Sequence, residues 1–296
     1  MKVIVTGGVG FVGTNLIKKL LKDGNEVVSL DNYSTGKKEN EQDGCKYIDV
    51  DISDSLRRHK AFGLEQYKLK KPDLIFHLGA LARIQPSLKK PASTITNNFM
   101  GTLNVLDYAR ENNIPVVYAG SSTFHHGLWG SPYAWSKHSG EQLCKLYSTI
   151  YDLPTAICRF YNVYGEHQLE DGAYATVVGI FEKQFREGRP LTITGNGEQR
   201  RDFTHIEDIV DALIRLGWML ESNRSSKVSG QTFELGRGKN FSINELADMF
   251  GENYPKQYIP ARDGEYDYTL ADSSKAKELL NWNPTLDIKD YLNDKD

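Results

Sequence analysis

Cysteine is scarce, with three residues in 296: Cys45, Cys144 and Cys158. They share no metal-binding or redox spacing, and an odd number leaves one unpaired. A disulfide framework is therefore not expected, and a reduced, cytoplasmic setting is. Long apolar runs are also missing. No stretch approaches the roughly 18 residues of a membrane span, so no membrane association is expected. The chain opens Met1-Lys2 and enters the apolar Val3-Ile4-Val5 at once, without the layout of a secretory signal peptide. Excess charge of one sign is absent too. Against 39 Asp+Glu stand 36 Lys+Arg, a formal net charge of −3. That balance gives no basic face for a nucleic acid. No internal repeat, low-complexity tract or Pro/Gly/Ser-rich linker stands out. What remains, 39% hydrophobic and 25% charged residues, suits a globular chain of one large domain or two modest ones.

The first half alternates short β-branched runs with helical stretches. Strands are expected at Lys2–Thr6, Glu26–Asp31, Lys46–Val50, Asp73–Leu78, Pro115–Ala119 and Thr155–Phe160. Most are continuously apolar, as befits parallel strands buried on both faces. Helices are expected at Phe11–Lys22, Asp54–Lys70, Thr96–Asn112 and Tyr133–Tyr151. This alternation predicts an α/β fold, a Rossmann-like doubly wound parallel sheet. From about Tyr164 the pattern loosens. Helical periodicity returns at Ala175–Glu187, Ile206–Leu220, Ile243–Gly251 and Ser274–Leu280, with short strands at Leu191–Thr194 and Gln231–Leu235. We read residues 1–163 as a nucleotide-binding domain and 164–296 as a smaller C-terminal α/β substrate region, not cleanly separable from it.

Gly7, Gly10 and Gly13 follow the first strand and open the first helix with the spacing G-x-x-G-x-x-G. The first permits a tight turn. The second lets the backbone approach a pyrophosphate at the helix N-terminus, and the third lets helix pack on strand. Asp31 closes the second strand, where a carboxylate can accept hydrogen bonds from the adenosine ribose. It would repel a 2′-phosphate, and Asn32 rather than an arginine follows it, so NAD is favoured over NADP. Tyr133 and Lys137 lie four apart on one helix face. An adjacent ammonium favours the phenolate and makes Tyr133 a usable base. That spacing alone is common on solvated helices. It gains force from Ser121-Ser122-Thr123, placed at the carboxyl end of the sheet, where such folds bind ligands.

Together these motifs resemble the extended short-chain dehydrogenase/reductase superfamily, and within it the NAD-dependent sugar-nucleotide epimerases of the UDP-glucose 4-epimerase type. The similarity runs almost end to end. It takes in Gly7–Gly13, Asp31–Gly36, Asp51-Ile52, Phe76–Ala80, Asn98 with Gly101-Thr102, Ser121–Thr123 and Ser131–Lys137. It continues through Arg159–Gly165, Gly195–Phe203, Arg262–Glu265 and Asn281–Pro284.

The resemblance implies a tightly bound NAD. Gly7, Gly10, Phe11, Val12 and Gly13 would hold its pyrophosphate. Asp31, Asn32 and Ser34, with Thr35 and Gly36 beside them, would surround the adenosine ribose, and Asp51 and Ile52 would border the adenine. Leu78, Gly79, Ala80, Asn98 and Tyr161 complete the implied cofactor set. Lys137 would hold the nicotinamide ribose and bias Tyr133. Tyr133 would take the proton from a sugar hydroxyl that Ser121, with Ser122, also hydrogen-bonds. The substrate implied is a nucleotide-diphosphate sugar, with UDP favoured. Its diphosphate would meet Arg201 and Arg262, whose forks suit phosphate oxygens, and the donor Asn162. Arg83 and Thr123 would face the sugar, and Thr269 stands where the family gates sugar size. A homodimer is implied through the helices Thr96–Asn112 and Tyr133–Tyr151.

The chain departs from this family at one place. Between Ser121 and Tyr133 the connection is about half the usual length, and Phe124-His125-His126-Gly127-Leu128-Trp129-Gly130 replaces an acidic, proline-rich loop. Adjacent histidines in a short loop seldom converge on one centre, so no metal is expected there. Other reactions on the same scaffold need acids after the serine. Dehydratases carry an Asp-Glu pair and decarboxylating members a Glu, where this chain has Ser122 and Thr123. A non-catalytic NAD-binding protein would be expected to have lost Tyr133 or Lys137. Epimerisation at C4 is thus the leading expectation, ahead of another carbon or a reduction.

Overall fold

The computed structural model describes residues 1–54, 71–222 and 225–293. The expected helix Asp54–Lys70 falls on residues 55–70, outside the described residues. In chain order the first half comprises β1 (Lys2–Thr6), α1 (Phe11–Lys22), β2 (Glu26–Asp31), β3 (Lys46–Asp49), β4 (Leu74–His77), α2 (Ile84–Lys89) and α3 (Pro91–Ile95). A π-turn over Thr96–Met100 runs into α4 (Gly101–Asn112), followed by β5 (Val116–Ser121), α5 (Pro132–Tyr151) and β6 (Thr155–Phe160). The second half adds β7 (Val163–Tyr164), α6 (Val177–Arg186), β8 (Leu191–Thr194), β9 (Arg200–Asp202), β10 (Thr204–His205), α7 (Ile206–Glu221) and β11 (Gln231–Leu235). It ends with β12 (Asn240–Ser242), α8 (Ile243–Asp248), β13 (Lys256–Ile259), α9 (Ser274–Leu280) and α10 (Ile288–Asn293).

Seven strands form one parallel sheet in the order β11-β6-β5-β4-β1-β2-β3. Val3, Val5, Leu74, Phe76, Val117 and Cys158 are all buried on one face, packed with Leu16, Ile17 and Leu20 of α1 and with α7. Ile4, Ile75, Val116 and Ile157 point to the other face, against Val105, Leu106 and Ala109 of α4 and Cys144 and Tyr147 of α5. Burial on both faces is why these strands read as unbroken apolar runs. Each fully buried Val, Ile or Leu favours the fold by about 1.5–3 kcal/mol.

The second half divides between two bodies. Gln231–Leu235, expected in the second region's own sheet, is the seventh strand of the main one, in register with β6 from Gln231↔Ala156 to Leu235↔Phe160. Helices α7 and α9 also pack on the main sheet. A separate core of Val178, Phe181, Leu191, Ile193, Phe241 and Leu246 holds α6, β8, α8 and their neighbours. Removing everything after residue 163 would strip the sheet of an edge strand and a covering helix.

The strand order reverses direction between β1 and β4. The loops leaving these two strands diverge there and open a crevice at the carboxyl ends of the strands. The smaller body faces that crevice.

Candidate active site

A single cleft of about 830 Å³ runs from the Gly7–Gly13 turn, past Ser121 and Tyr133, to Arg262 and Thr269. Its first end is a glycine cradle. Gly7 has φ +74°, and a Cβ there would lie 2.8 Å from Gly79 Cα. Only glycine adopts that backbone freely while letting two loops touch. A Cβ on Gly13 would lie 2.1 Å from Gly7 O, so helix packs on strand as the spacing predicts. Gly10 is the N-cap of α1. It places no side-chain oxygen over the first N–H groups, and the first turn holds no acid. Helix α5 is closed differently, for Ser131 Oγ accepts from Ala134 N at 3.0 Å. The open end of α1 is thus free for a phosphate.

Asp31 stands beside it, accepting from Val9 N at 3.1 Å and Tyr33 N at 2.9 Å. Burial raises its pKa, and these backbone N–H groups oppose the rise. Asn32, Ser34, Thr35, Gly36, Phe11, Val12, Ile52, Leu78, Gly79 and Ala80 line the same end. Asp51 does not. Its Oδ1 is taken by Ser53 N and Oγ, and its Oδ2 by Asn32 Nδ2 at 3.3 Å. Asp51 therefore positions Asn32.

Asn98 is also turned away from the cleft. Its Oδ1 accepts from Leu81 N at 2.7 Å, and its amide donates to Leu81 O and Ser136 Oγ. With every donor spent, it ties the Leu78–Leu81 loop to α5. Tyr161 is buried, and its hydroxyl donates to Glu234 at 2.8 Å, outside the cleft lining.

A polar chain behind the cradle escaped the sequence reading. Thr6 Oγ1 accepts from Leu78 N and Gly79 N and donates to His77 Nδ1 at 2.7 Å. His77 Nε2–H donates to Thr102 Oγ1 at 3.0 Å, and Thr102 donates to Asn98 O at 2.7 Å. These directions fix His77 as the neutral Nε2–H tautomer. Burial, with the charge of Lys137, lowers its pKa to about 3. His77 lay inside the quoted Phe76–Ala80 motif, but no spacing could pair it with Thr6 and Thr102.

At the centre of the cleft, Ser121 ends β5. Its Oγ accepts from Thr123 N at 3.3 Å and Thr123 Oγ1 at 3.0 Å, and it is near enough to the Tyr133 hydroxyl to lower its pKa. Ser121, Ser122 and Thr123 all line the cleft, and Ser121 is the one whose interaction shifts Tyr133. Burial raises the Tyr133 pKa, whereas the Ser121 bond and the Arg83 charge lower it. Arg83 is thus a second cation near Tyr133, one the sequence assigned only to the sugar. Lys137 Nζ lies 4.4 Å from the Tyr118 ring centroid, behind the cleft lining. Burial lowers its pKa to about 8, with Glu141 opposing.

The short connection is pinned on both sides. His125 pairs with Glu234, and Phe124 lies under the Arg159 guanidinium at 3.3 Å. His126 stacks on Tyr266, with ring centroids 3.8 Å apart. Burial, Arg201 and His125 all lower the His126 pKa. Neither histidine joins a metal cluster among the described residues.

The far end collects the remaining expected residues. Arg83, Thr123, Asn162, Arg201, Arg262 and Thr269 all line the cleft. Arg201 Nη1 donates to Arg200 O at 2.9 Å, and Arg262 lies 3.8 Å from Glu265. Asn162 needs correction as a side-chain donor. Its amide is spent on Asp202 O and Thr269 Oγ1, both at 3.1 Å, so only its side-chain oxygen is left for a ligand.

A model of the NAD dependent epimerase/dehydratase family matches residues 3–236. The chain belongs to the NAD dependent epimerase/dehydratase family. A UDP-glucose 4-epimerase of Mycolicibacterium smegmatis is 31% identical over 99% of this chain and 96% of its own length. A UDP-glucose 4-epimerase of Thermotoga maritima, solved with UDP-glucose, superposes with a TM-score of 0.88 at 29% identity. The match covers 99% of this chain and 96% of that one. A UDP-glucuronic acid 4-epimerase of Bacillus cereus, solved with UDP-glucuronic acid and NAD, gives 0.85 at 29% identity over 99% and 97%.

NAD is the cofactor of this family, and the residues present fit it. The uncapped α1 terminus, the Gly7/Gly79 contact and Asp31 supply a phosphate site and a ribose acceptor at one end of the cleft. Among the described residues no helix is long and apolar enough to cross a membrane.

Proposed function

We propose that the chain interconverts the C4 epimers of a UDP-linked sugar through a transient 4-keto form. One observation carries this reading. The hydroxyls of Thr123, Ser121 and Tyr133 line the cleft together where the dinucleotide cradle meets its arginine-lined half. Tyr133, as the phenolate, takes the proton of the C4 hydroxyl, and Ser121, donating to the phenol oxygen, stabilises that phenolate. Arg83 adds a positive field to the same end. Lys137, buried behind Tyr133, would hold the nicotinamide ribose. NAD, when bound, supplies the hydride acceptor and returns the hydride. Arg201 and Arg262 neutralise the diphosphate. UDP is favoured because the relatives bearing named sugars carry it.

We also propose a homodimer. Leu146 and Ile150 of α5 are 50% and 61% exposed, whereas Leu106 of α4 is core. The exposed stripe on α5 suits a second copy. All three cysteines are free, which fits the cytoplasm.

The test is proton NMR of the purified protein, without added cofactor, mixed in turn with UDP-glucose, UDP-galactose and their N-acetylated forms. Conversion to the C4 epimer supports the proposal and shows that NAD travels with the protein. If a protein shown to contain NAD leaves all four unchanged, GDP- and dTDP-sugars and uronic acids follow. Inertness toward every one refutes the reading.

A further inference from the structure

Arg83 sits inside the sugar end of the cleft with little to neutralise it. Its Nε donates to Tyr174 O at 3.1 Å. No carboxylate among the described residues forms an ion pair with it, and the one group whose negative charge favours its protonation is Tyr133. Burial otherwise works against its charge. A guanidinium does not escape such a setting by losing its proton. Arg83 is half-buried, so its charge is only partly hydrated, with no counter-charge beside it. A fork with its outer nitrogens facing an open cleft is best explained by an anion that arrives with the ligand.

The diphosphate is not that anion, because Arg201 and Arg262 serve it from the smaller body. The chemistry of the sugar says where another could be. With the C4 hydroxyl at Tyr133, the substituent on C5 is two bonds from the reacting carbon. Arg83 and Tyr133 line the same cleft, so the Arg83 fork is placed on the side of the reacting carbon that carries C6. A second observation points the same way. Tyr266 lines the same cleft, and its buried hydroxyl has no hydrogen-bond partner among the described residues. Tyr266 is close enough for Tyr133 to influence its ionisation. A carboxylate accepts a bidentate fork and still has room for a phenol. An N-acetyl group hangs from C2, across the ring, and carries no charge.

We infer that the sugar is a hexuronic acid, and that Arg83, assisted by Tyr266, selects its C6 carboxylate. This rests on the 4-epimerase reading above. The experiment compares kcat/KM of the NAD-loaded protein for UDP-glucuronate, UDP-glucose and UDP-N-acetylglucosamine. UDP-glucuronate is expected to be preferred at least tenfold. Arg83→Gln is expected to lower its kcat/KM about a hundredfold relative to UDP-glucose, mostly through KM, and Arg83→Lys to recover part. Tyr266→Phe, which keeps the His126 stack, is expected to cost several-fold on the uronate alone. Preference for an uncharged sugar overturns the inference and leaves the 4-epimerase reading standing. An Arg83→Gln protein that loses activity equally on all three also overturns it, since Arg83 would then serve the diphosphate or Tyr133 only. Should that variant not fold, the wild-type preference and Tyr266→Phe decide. Turnover of none of the three by the wild type overturns both.

Discussion

Acidification should weaken this protein through one histidine. His77 is 2% exposed and caught between Thr6 and Thr102. Its Nδ1 already accepts from Thr6, whose oxygen also accepts two backbone N–H groups. A second ring proton would have no acceptor, and burial holds the pKa at about 3 against an ordinary 6.5. The unfolded chain titrates near 6.5, so it binds a proton the native state refuses. Stability is complete above that pH and falls as pH drops from 6.5 towards 3. The slope approaches about 1.4 kcal/mol per pH unit, or about 2 kcal/mol between pH 7 and pH 5. The measurement is urea unfolding of wild type and His77→Gln at pH 7, 6 and 5. Taking the difference between the two proteins cancels the other titrating groups. His77→Gln is less stable at pH 7, and its deficit should shrink by about 2 kcal/mol at pH 5. A deficit that stays constant with pH refutes the buried, neutral His77. Because the same threonine holds Leu78 and Gly79 beside Gly7, NAD release should accompany the loss of stability.

Other perturbations test the reacting centre and the cradle. Tyr133→Phe should lower kcat by about 10²–10⁴ while NAD still copurifies, as read from the cofactor content of the denatured protein. Ser121→Ala removes the donor that favours the phenolate. The pH at which activity is half-maximal should rise, and an unmoved profile would disconnect Ser121 from Tyr133. Gly13→Ala puts a methyl 2.1 Å from Gly7 O and 2.8 Å from Gly8 Cα, both backbone. It should cost about 1–3 kcal/mol or more and empty the NAD site, checked by thermal unfolding and cofactor content.

The dinucleotide cradle was legible because its chemistry is local. Gly7, Gly10, Gly13 and Asp31 act through backbone geometry and strand ends, and neighbours in sequence set both. The same holds for the six strands of the first half, whose apolar runs announce burial on two faces. Tyr133 was found by its spacing to Lys137, whereas the charge of Arg83, fifty residues earlier, reaches it only through the fold. Asn98 and Tyr161 were identified by motif as cofactor residues. They proved to spend their polar atoms on Leu81, Ser136 and Glu234, pairings that exist only once helices and strands have packed. Gln231–Leu235 shows the same limit at the level of the fold. Its pattern identified a strand, but which sheet edge would receive it depends on the open side of β6. By itself, then, the sequence determined the parallel sheet, the nucleotide turn and the tyrosine proposed to react, since each depends on periodicity or short-range spacing. Only the tertiary structure decided which charges and hydroxyls surround that tyrosine, because desolvation and hydrogen-bond satisfaction are properties of residues that meet across the chain.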